Sequence, residues 1–280
     1  MHILQLQRQR GFTLIEMVMV IVILGAVGGM VAVFMRSPID AYFSSARRAA
    51  LTDTADTTVR RMARDIRKAL PNSIRTPGNQ CLEFIPTKTG GRYRAEAGDD
   101  TSLNFNAPDT TFNMLGRNNG PVPADQRIAI GDVIVVYNLG IPGSDAYQQD
   151  NTSAVTAAPT EAGAPIETTI TITSKQFPLA SGSNRFHVVP GAEQVVGYIC
   201  TGDGRLRRYV RALPYAAPDA CPAAADVAAA PILASNVTDC MFDYGGSDLQ
   251  RNALVRMVLQ LTDSGESVTL QHEVHVNNTP

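Results

Sequence analysis

Tryptophan is absent from this chain, and so is any surplus of charge of one sign. Its 280 residues hold 24 Lys and Arg against 26 Asp and Glu, a formal net charge of −2, with 18% of residues charged. No strong overall field therefore draws it to nucleic acid or to acidic substrates. No Cys-x-x-Cys pair and no Cys/His cluster with zinc-like spacing occurs, which disfavours a zinc site. Gly202-Asp203-Gly204 lacks the further glycine and the strand-to-helix setting of a nucleotide loop. His272 and His275 lie three apart in a strand-like run, not four apart on a helix as a zinc-protease motif requires. Strand alternation sends their rings to opposite faces. His187 is isolated and reads as structural. Asp99 with Asp100, or Asp239 with Asp243, offers carboxylates for calcium but no EF-hand-like ligand series. No Ser/His/Asp or Cys/His arrangement can be argued from spacing. The expectation is a protein with no catalytic residue, no metal and no cofactor, hence not an enzyme.

What the chain does have is one long apolar run. Between Phe12 and Met35 the only polar side chains are Thr13 and Glu16. As a helix this run is roughly 36 Å long at about 1.5 Å per residue. A hydrocarbon core is about 30 Å thick, so the run can span it with some tilt. Arg8 and Arg10 before it favour a cytoplasmic N-terminus, while Arg36 and the Arg47-Arg48 pair weaken that vote. A secretory signal peptide would be shorter, would carry no carboxylate and would end in a small-x-small site. A plain signal-anchor explains the length but not Glu16, because an ionised carboxylate in a bilayer costs several kcal/mol unless it finds a partner. Cleavage of the Gly11–Phe12 bond would create one. The new Phe12 amine stands four residues before Glu16, the i, i+4 spacing of a helical pair. The same amine could instead meet Glu16 of a neighbouring helix.

From Pro38 to Leu70 the pattern becomes amphipathic. Ile39, Tyr42, Phe43, Ala46 and Ala49, then Ala55, Val59, Met62, Ile66 and Leu70, recur at spacings of three and four. That is the apolar stripe of a helix resting on a folded domain. Pro38 is expected to weaken or kink the helix, and Pro71-Asn72-Ser73 to close it. The opposite side carries Arg47, Arg48, Arg60, Arg61, Arg64, Arg67 and Lys68, partly offset by Asp53, Asp56 and Asp65. It reads as a solvated face, with contact to acidic surfaces of neighbours as the alternative.

Beyond Ser73 the pattern predicts strands at 81–86, 132–138, 167–173, 195–200, 206–210, 237–244, 254–262 and 267–276, all rich in Val, Ile, Thr and Tyr. Gly202-Asp203-Gly204 and Asp263-Ser264-Gly265-Glu266 read as hairpin turns. Residues 140–165 and 216–231 read as exposed loops, on which Tyr147 and Tyr215 are the candidate surface aromatics. The fold class is α+β, a mostly antiparallel sheet packed on the amphipathic helix. Cys81, Cys200, Cys221 and Cys240 all follow the apolar run, and an even number on one side of a membrane favours two disulfides. Four cysteines allow three connectivities. The strand-like settings of Cys200 and Cys240 lean towards that pair, leaving Cys81 with Cys221.

Arg10-Gly11-Phe12-Thr13-Leu14-Ile15-Glu16, followed by an apolar helix, resembles the class III signal of type IV prepilins and type II secretion pseudopilins. The resemblance implies removal of a leader, residues 1–11, by prepilin peptidase, and N-methylation of Phe12. It implies that Glu16 pairs with the N-terminal amine of an adjacent subunit during assembly. It also implies a type IV pilin-like architecture: a transmembrane and assembly helix over 12–36, an amphipathic continuation over 37–72, and a β-rich periplasmic head over 73–280. The stretches 51–56, 60–67 and 69–75 resemble the minor-pilin branch that includes PilW-like and GspJ-like proteins. Residues 81–94 and 271–280 look most like a minor pilin of the mannose-sensitive haemagglutinin pilus. The implied setting is the bacterial inner membrane, single-pass, with later display on a pilus at the cell surface. Implied partners are prepilin peptidase, major and minor pilins, and the inner-membrane assembly platform. The nearest alternative is a type II secretion pseudopilin of the GspJ kind.

Overall fold

The computed structural model describes residues 11–95, 101–216, 220–245 and 252–280. Arg8, Arg10, the rest of the expected leader before Gly11, and the Asp99-Asp100 pair lie outside the described residues. The chain divides between Ala50 and Leu51 into two compact units. One helix, α1 (Leu14–Ile66), spans 53 residues.

In the first unit the apolar side chains from Phe12 to Met35 are exposed, as are Ile39, Tyr42 and Phe43. The expected stripe therefore has no cover at its first positions, and burial begins at Leu51. Pro38 lies inside α1 without ending it.

In the second unit Leu51, Ala55, Val59, Met62 and Ile66 turn inward at helical spacing, together with Thr58 and Ala63. Arg64 stands in the last turn, where a cation faces the negative end of the helix dipole. The helix stops at Ile66, short of Pro71, because the chain exchanges helical hydrogen bonds for bonds to a remote segment. Leu70 N donates to Ile85 O at 2.7 Å, and Thr87 N donates to Lys68 O at 2.7 Å.

Fifteen strands follow among the described residues: β1 (Arg75–Gly78), β2 (Cys81–Phe84), β3 (Thr89–Arg92), β4 (Asp109–Leu115), β5 (Val133–Val136), β6 (Thr152–Ala154), β7 (Thr160–Ala162), β8 (Glu167–Lys175), β9 (Arg185–Val189), β10 (Val195–Cys200), β11 (Arg205–Arg211), β12 (Ile232–Ser235), β13 (Val237–Tyr244), β14 (Asn252–Asp263) and β15 (Glu266–Asn277). They form four sheets, ordered β1-β2-β10-β11-β12, β3-β9-β5-β6, β4-β8-β7 and β13-β14-β15. The strand pairs are antiparallel. The α+β reading holds: one long helix plus several antiparallel sheets. Ser264 and Gly265 both have positive φ, 48° and 85°, the type I′ geometry that joins β14 to β15 in unbroken register.

Three apolar clusters knit the sheets together. The first joins Leu51–Ile66 of α1 to Phe84, Tyr198, Phe242, Met257 and Val274. A second is built from Phe112, Ile134, Ile170, Phe186 and Val188, on β4, β5, β8 and β9. Leu70, Ile85, Val135, Val189 and Val195 make the third. Each of the eight expected strand regions contains a strand. The stretch 140–165, however, is not simply a loop: it holds β6, β7 and a 3-10 turn at Ala146–Gln148. Small polar residues are poor strand formers, but pairing of β6 with β5 and β7 with β8 overrides that preference. β3 was hidden by Gly90-Gly91. A Cβ on Gly91 would sit 2.7 Å from Met114 Sδ, so the strand needs glycine there for close approach.

Disulfides join Cys200 to Cys240, tying β10 to β13, and Cys81 to Cys221, tying β2 to the segment before β12. Two polar knots reinforce them. Glu83 is fully buried, yet it receives Arg75 Nε at 2.9 Å, the Tyr209 hydroxyl at 2.6 Å and the Tyr215 hydroxyl at 3.1 Å. Asn72, at φ 57°, donates from Nδ2 to Asn138 O at 2.9 Å and from its backbone N to Asn278 Oδ1 at 3.2 Å. Tyr147 is not a surface aromatic. It is 4% exposed, its hydroxyl donates to Ser73 O, and the Arg75 guanidinium lies 3.6 Å above its ring.

Candidate functional site

The site singled out by the sequence is the start of the apolar helix. Gly11, Phe12 and Thr13 are non-helical and exposed, and α1 begins at Leu14. Among the described residues a Cβ placed on Gly11 meets nothing within 4 Å, so none of them covers the Gly11–Phe12 bond on its acyl side. Phe12 is 86% exposed. An uncovered, non-helical peptide bond suits a protease, since a helical bond must first be unwound.

Thr13 and Glu16 hold the helix end between them. Thr13 N donates to Glu16 Oε2 at 3.4 Å, while Glu16 N donates to Thr13 Oγ1 at 3.3 Å. The first intrahelical bond, Met17 N to Thr13 O, follows at 3.2 Å. This reciprocal pattern is a capping box: the first-turn N–H groups have no helical acceptor, and Thr and Glu three apart satisfy two of them. Thr13-Leu14-Ile15-Glu16 carries that signature in the sequence through its Thr-x-x-Glu spacing. The uncleaved chain shows a different partner for Glu16. Phe12 precedes the helix, so in the uncleaved chain Glu16 is engaged by Thr13, one turn below.

The electrostatics of the site follow from the helix. Its N-terminus carries about half a positive charge, which favours Glu16 in the first turn. Hydrolysis after Gly11 would add the full charge of an α-ammonium two residues before the first helical position. Such a charge is disfavoured at that end unless a carboxylate lies within reach. Glu16 is the acidic residue of the first turn.

The other sequence candidates stand apart from this site. Cys81, Cys200, Cys221 and Cys240 are in disulfides. His272 is half-buried and His275 exposed on β15. His187 is mostly buried on β9, and desolvation, with a lesser push from Arg185, lowers its pKa. Asp239 and Asp243 have exposed side chains on β13. Among the described residues no group of three His, Cys, Asp or Glu side chains is placed to hold a metal ion.

Residues 6–32 match the model of the prokaryotic N-terminal methylation motif, a type IV prepilin-like signal. The match covers the Gly11–Phe12 bond, Glu16 and most of the apolar run. No curated protein and no solved structure matches the chain. The motif supports a type IV pilin-like or pseudopilin-like protein. With the apolar helix, it fits a single-pass membrane anchor.

Proposed function

We propose that this chain is a non-enzymatic minor pilin of a type IV pilus, of the MshO kind found in mannose-sensitive haemagglutinin systems. Prepilin peptidase removes residues 1–11 on the cytoplasmic side of the inner membrane and methylates the new Phe12 amine. The 12–36 segment anchors the protein, and the β-rich part from 73 onward lies in the periplasm until assembly. A bulky head favours a minor, initiating or tip position over a repeating shaft position.

The observation that carries this reading is the coincidence of the methylation motif with an uncovered Gly11–Phe12 bond and a helix whose apolar side chains up to Met35 are exposed. Glu16 supplies the chemistry of assembly. Two buried charges that meet as a pair are far less costly than either alone. In the assembled state Glu16 leaves Thr13 and receives the Phe12 amine of a neighbour. The cap it gives up contributes about 1 kcal/mol, less than the several kcal/mol at stake for an unpaired carboxylate in hydrocarbon.

Co-expression with a prepilin peptidase, followed by intact mass and N-terminal sequencing, tests the processing. The expected product begins at Phe12 and carries one added methyl group on its amine. A product that keeps the leader, or that begins elsewhere, overturns the reading. Glu16→Ala should be cleaved yet fail to enter filaments; normal incorporation would remove the pairing mechanism. A type II secretion pseudopilin shares the same signal and helix. Photo-crosslinks from positions 12–35 to pilus subunits support the pilus reading, and crosslinks to secretion subunits support the alternative.

A further inference from the structure

A groove of about 530 Å³ opens on the Leu51–Pro280 unit, beside the end of α1. Pro86 and Pro190 are half-buried in its walls, and the fully buried Phe84 and Val196 close it beneath. Its charges are of two kinds. Some are already neutralised. Arg208 holds Glu193 through two bonds, at 2.9 and 2.6 Å, and lies 3.5 Å from Asp65. Lys88 pairs with Asp132 at 2.5 Å.

Others are not. Arg67 and Lys68 form the groove's edge at the helix end, both exposed, with no carboxylate at ion-pair distance among the described residues. They follow directly on the last turn of α1, where Arg67 N still donates to Ala63 O at 3.1 Å, and the helix's negative end offers them only partial compensation. Asp125, also exposed and without an ion pair among the described residues, lines the same groove.

We infer that this groove docks an extended acidic segment of a partner protein, with its carboxylates on Arg67 and Lys68 and an apolar side chain against Pro86 and Pro190. Charge complementarity selects the occupant. Two adjacent cations without partners fit a short run of Asp or Glu. An unbroken polyanion such as single-stranded nucleic acid fits badly, because it would also track past exposed Asp125 and be repelled. This surface is independent of the processing site, and either assignment can fail without the other.

The test uses full-length protein in non-ionic detergent, with empty micelles as the blank. The probe is a fluorescein-labelled peptide alternating glutamate and leucine. A glutamine-for-glutamate version and an oligothymidylate of equal charge are the comparisons, all read by anisotropy. The glutamate peptide should bind about tenfold more tightly than the glutamine version, and high salt should erase most of that advantage. Arg67→Glu with Lys68→Glu should weaken binding about tenfold, while Arg256→Glu, on β14, should leave it unchanged. Asp125→Lys should tighten binding, a gain that misfolding cannot mimic. Equal or tighter binding of the oligothymidylate, or affinity indifferent to the double variant and to Asp125→Lys, overturns the inference.

Discussion

The Tyr209 hydroxyl donates to Glu83 Oε1 at 2.6 Å, and Arg75 Nε meets the other carboxylate oxygen at 2.9 Å, in a place where Glu83 has no contact with water. Burial, and then the Glu83 charge, push the Tyr209 hydroxyl's pKa well above its ordinary value. The cluster spans β1, β2 and β11, with Tyr215 adding a third donor. Glu83→Ala leaves Arg75 and two tyrosine hydroxyls without their acceptor. The expected loss is about 3 kcal/mol or more, the usual result of removing one partner from a buried pair. Thermal unfolding should show a midpoint lower by about 6–12 °C. A shift within experimental scatter would mean that water takes the carboxylate's place.

The Tyr209 shift also predicts alkaline behaviour. An unfolded tyrosine ionises near pH 10, and the folded one ionises higher. The folded state therefore retains a proton that the unfolded state releases. This contribution is fully present below about pH 10 and is lost as pH rises towards the folded value. Tyr209→Phe should start less stable but lose less between pH 9 and pH 11, as read from urea midpoints. Equal slopes in the two proteins would refute the linkage.

His187 acts at the opposite end. Its pKa is lowered, chiefly by burial and then by Arg185, and its Nε2 is buried with no hydrogen-bond partner among the described residues. Neutral imidazole is thus the form the fold accepts. That stability is present above the unfolded value of about 6.5 and is lost as pH falls through the folded one. Melting temperature should drop from pH 7 to pH 5, and His187→Leu should flatten that drop.

Removing the two disulfides separately should have unequal effects. Cys81 and Cys221 are 140 residues apart, Cys200 and Cys240 only 40. In the chain-entropy account the longer loop contributes about 1 kcal/mol more. Alanine replacement of the first pair should therefore lower the urea midpoint further than replacement of the second. The reverse order would show that core packing around Cys200 and Cys240 outweighs loop closure.

At the helix start, Thr13→Ala removes one half of the capping box. The expected loss is about 1 kcal/mol, or about fivefold faster amide exchange over the first turn. Cleavage after Gly11 should persist, because the bond is already uncovered. Unchanged exchange in the variant would show that Glu16 alone holds the turn.

These tests divide along what could be read beforehand. Gly11, Phe12 and Glu16 stood out because a lone carboxylate in an apolar run is expensive wherever it goes. The strands at 195–200 and 254–262 were legible from β-branched residues. Thr13 was legible too, through its spacing from Glu16. Glu83 was not legible. Its acceptor role depends on Arg75, Tyr209 and Tyr215, and the two tyrosines lie more than a hundred residues further along the chain. Nor could β6 and β7 be read, since their pairing partners, not their own residues, make them strands.

The first apolar cluster contains Leu51 and Ile66 from α1 and also Val274 and Val276 from β15, and Asn278 bonds back to Asn72. A ribosome delivers the helix long before β15. Until β15 has been synthesised, the inward face of α1 lacks the strand that completes its cover. Completion of this core therefore waits for the synthesis of β15. During that interval the exposed stripe from Leu51 to Ile66 is the segment most in need of a chaperone's protection.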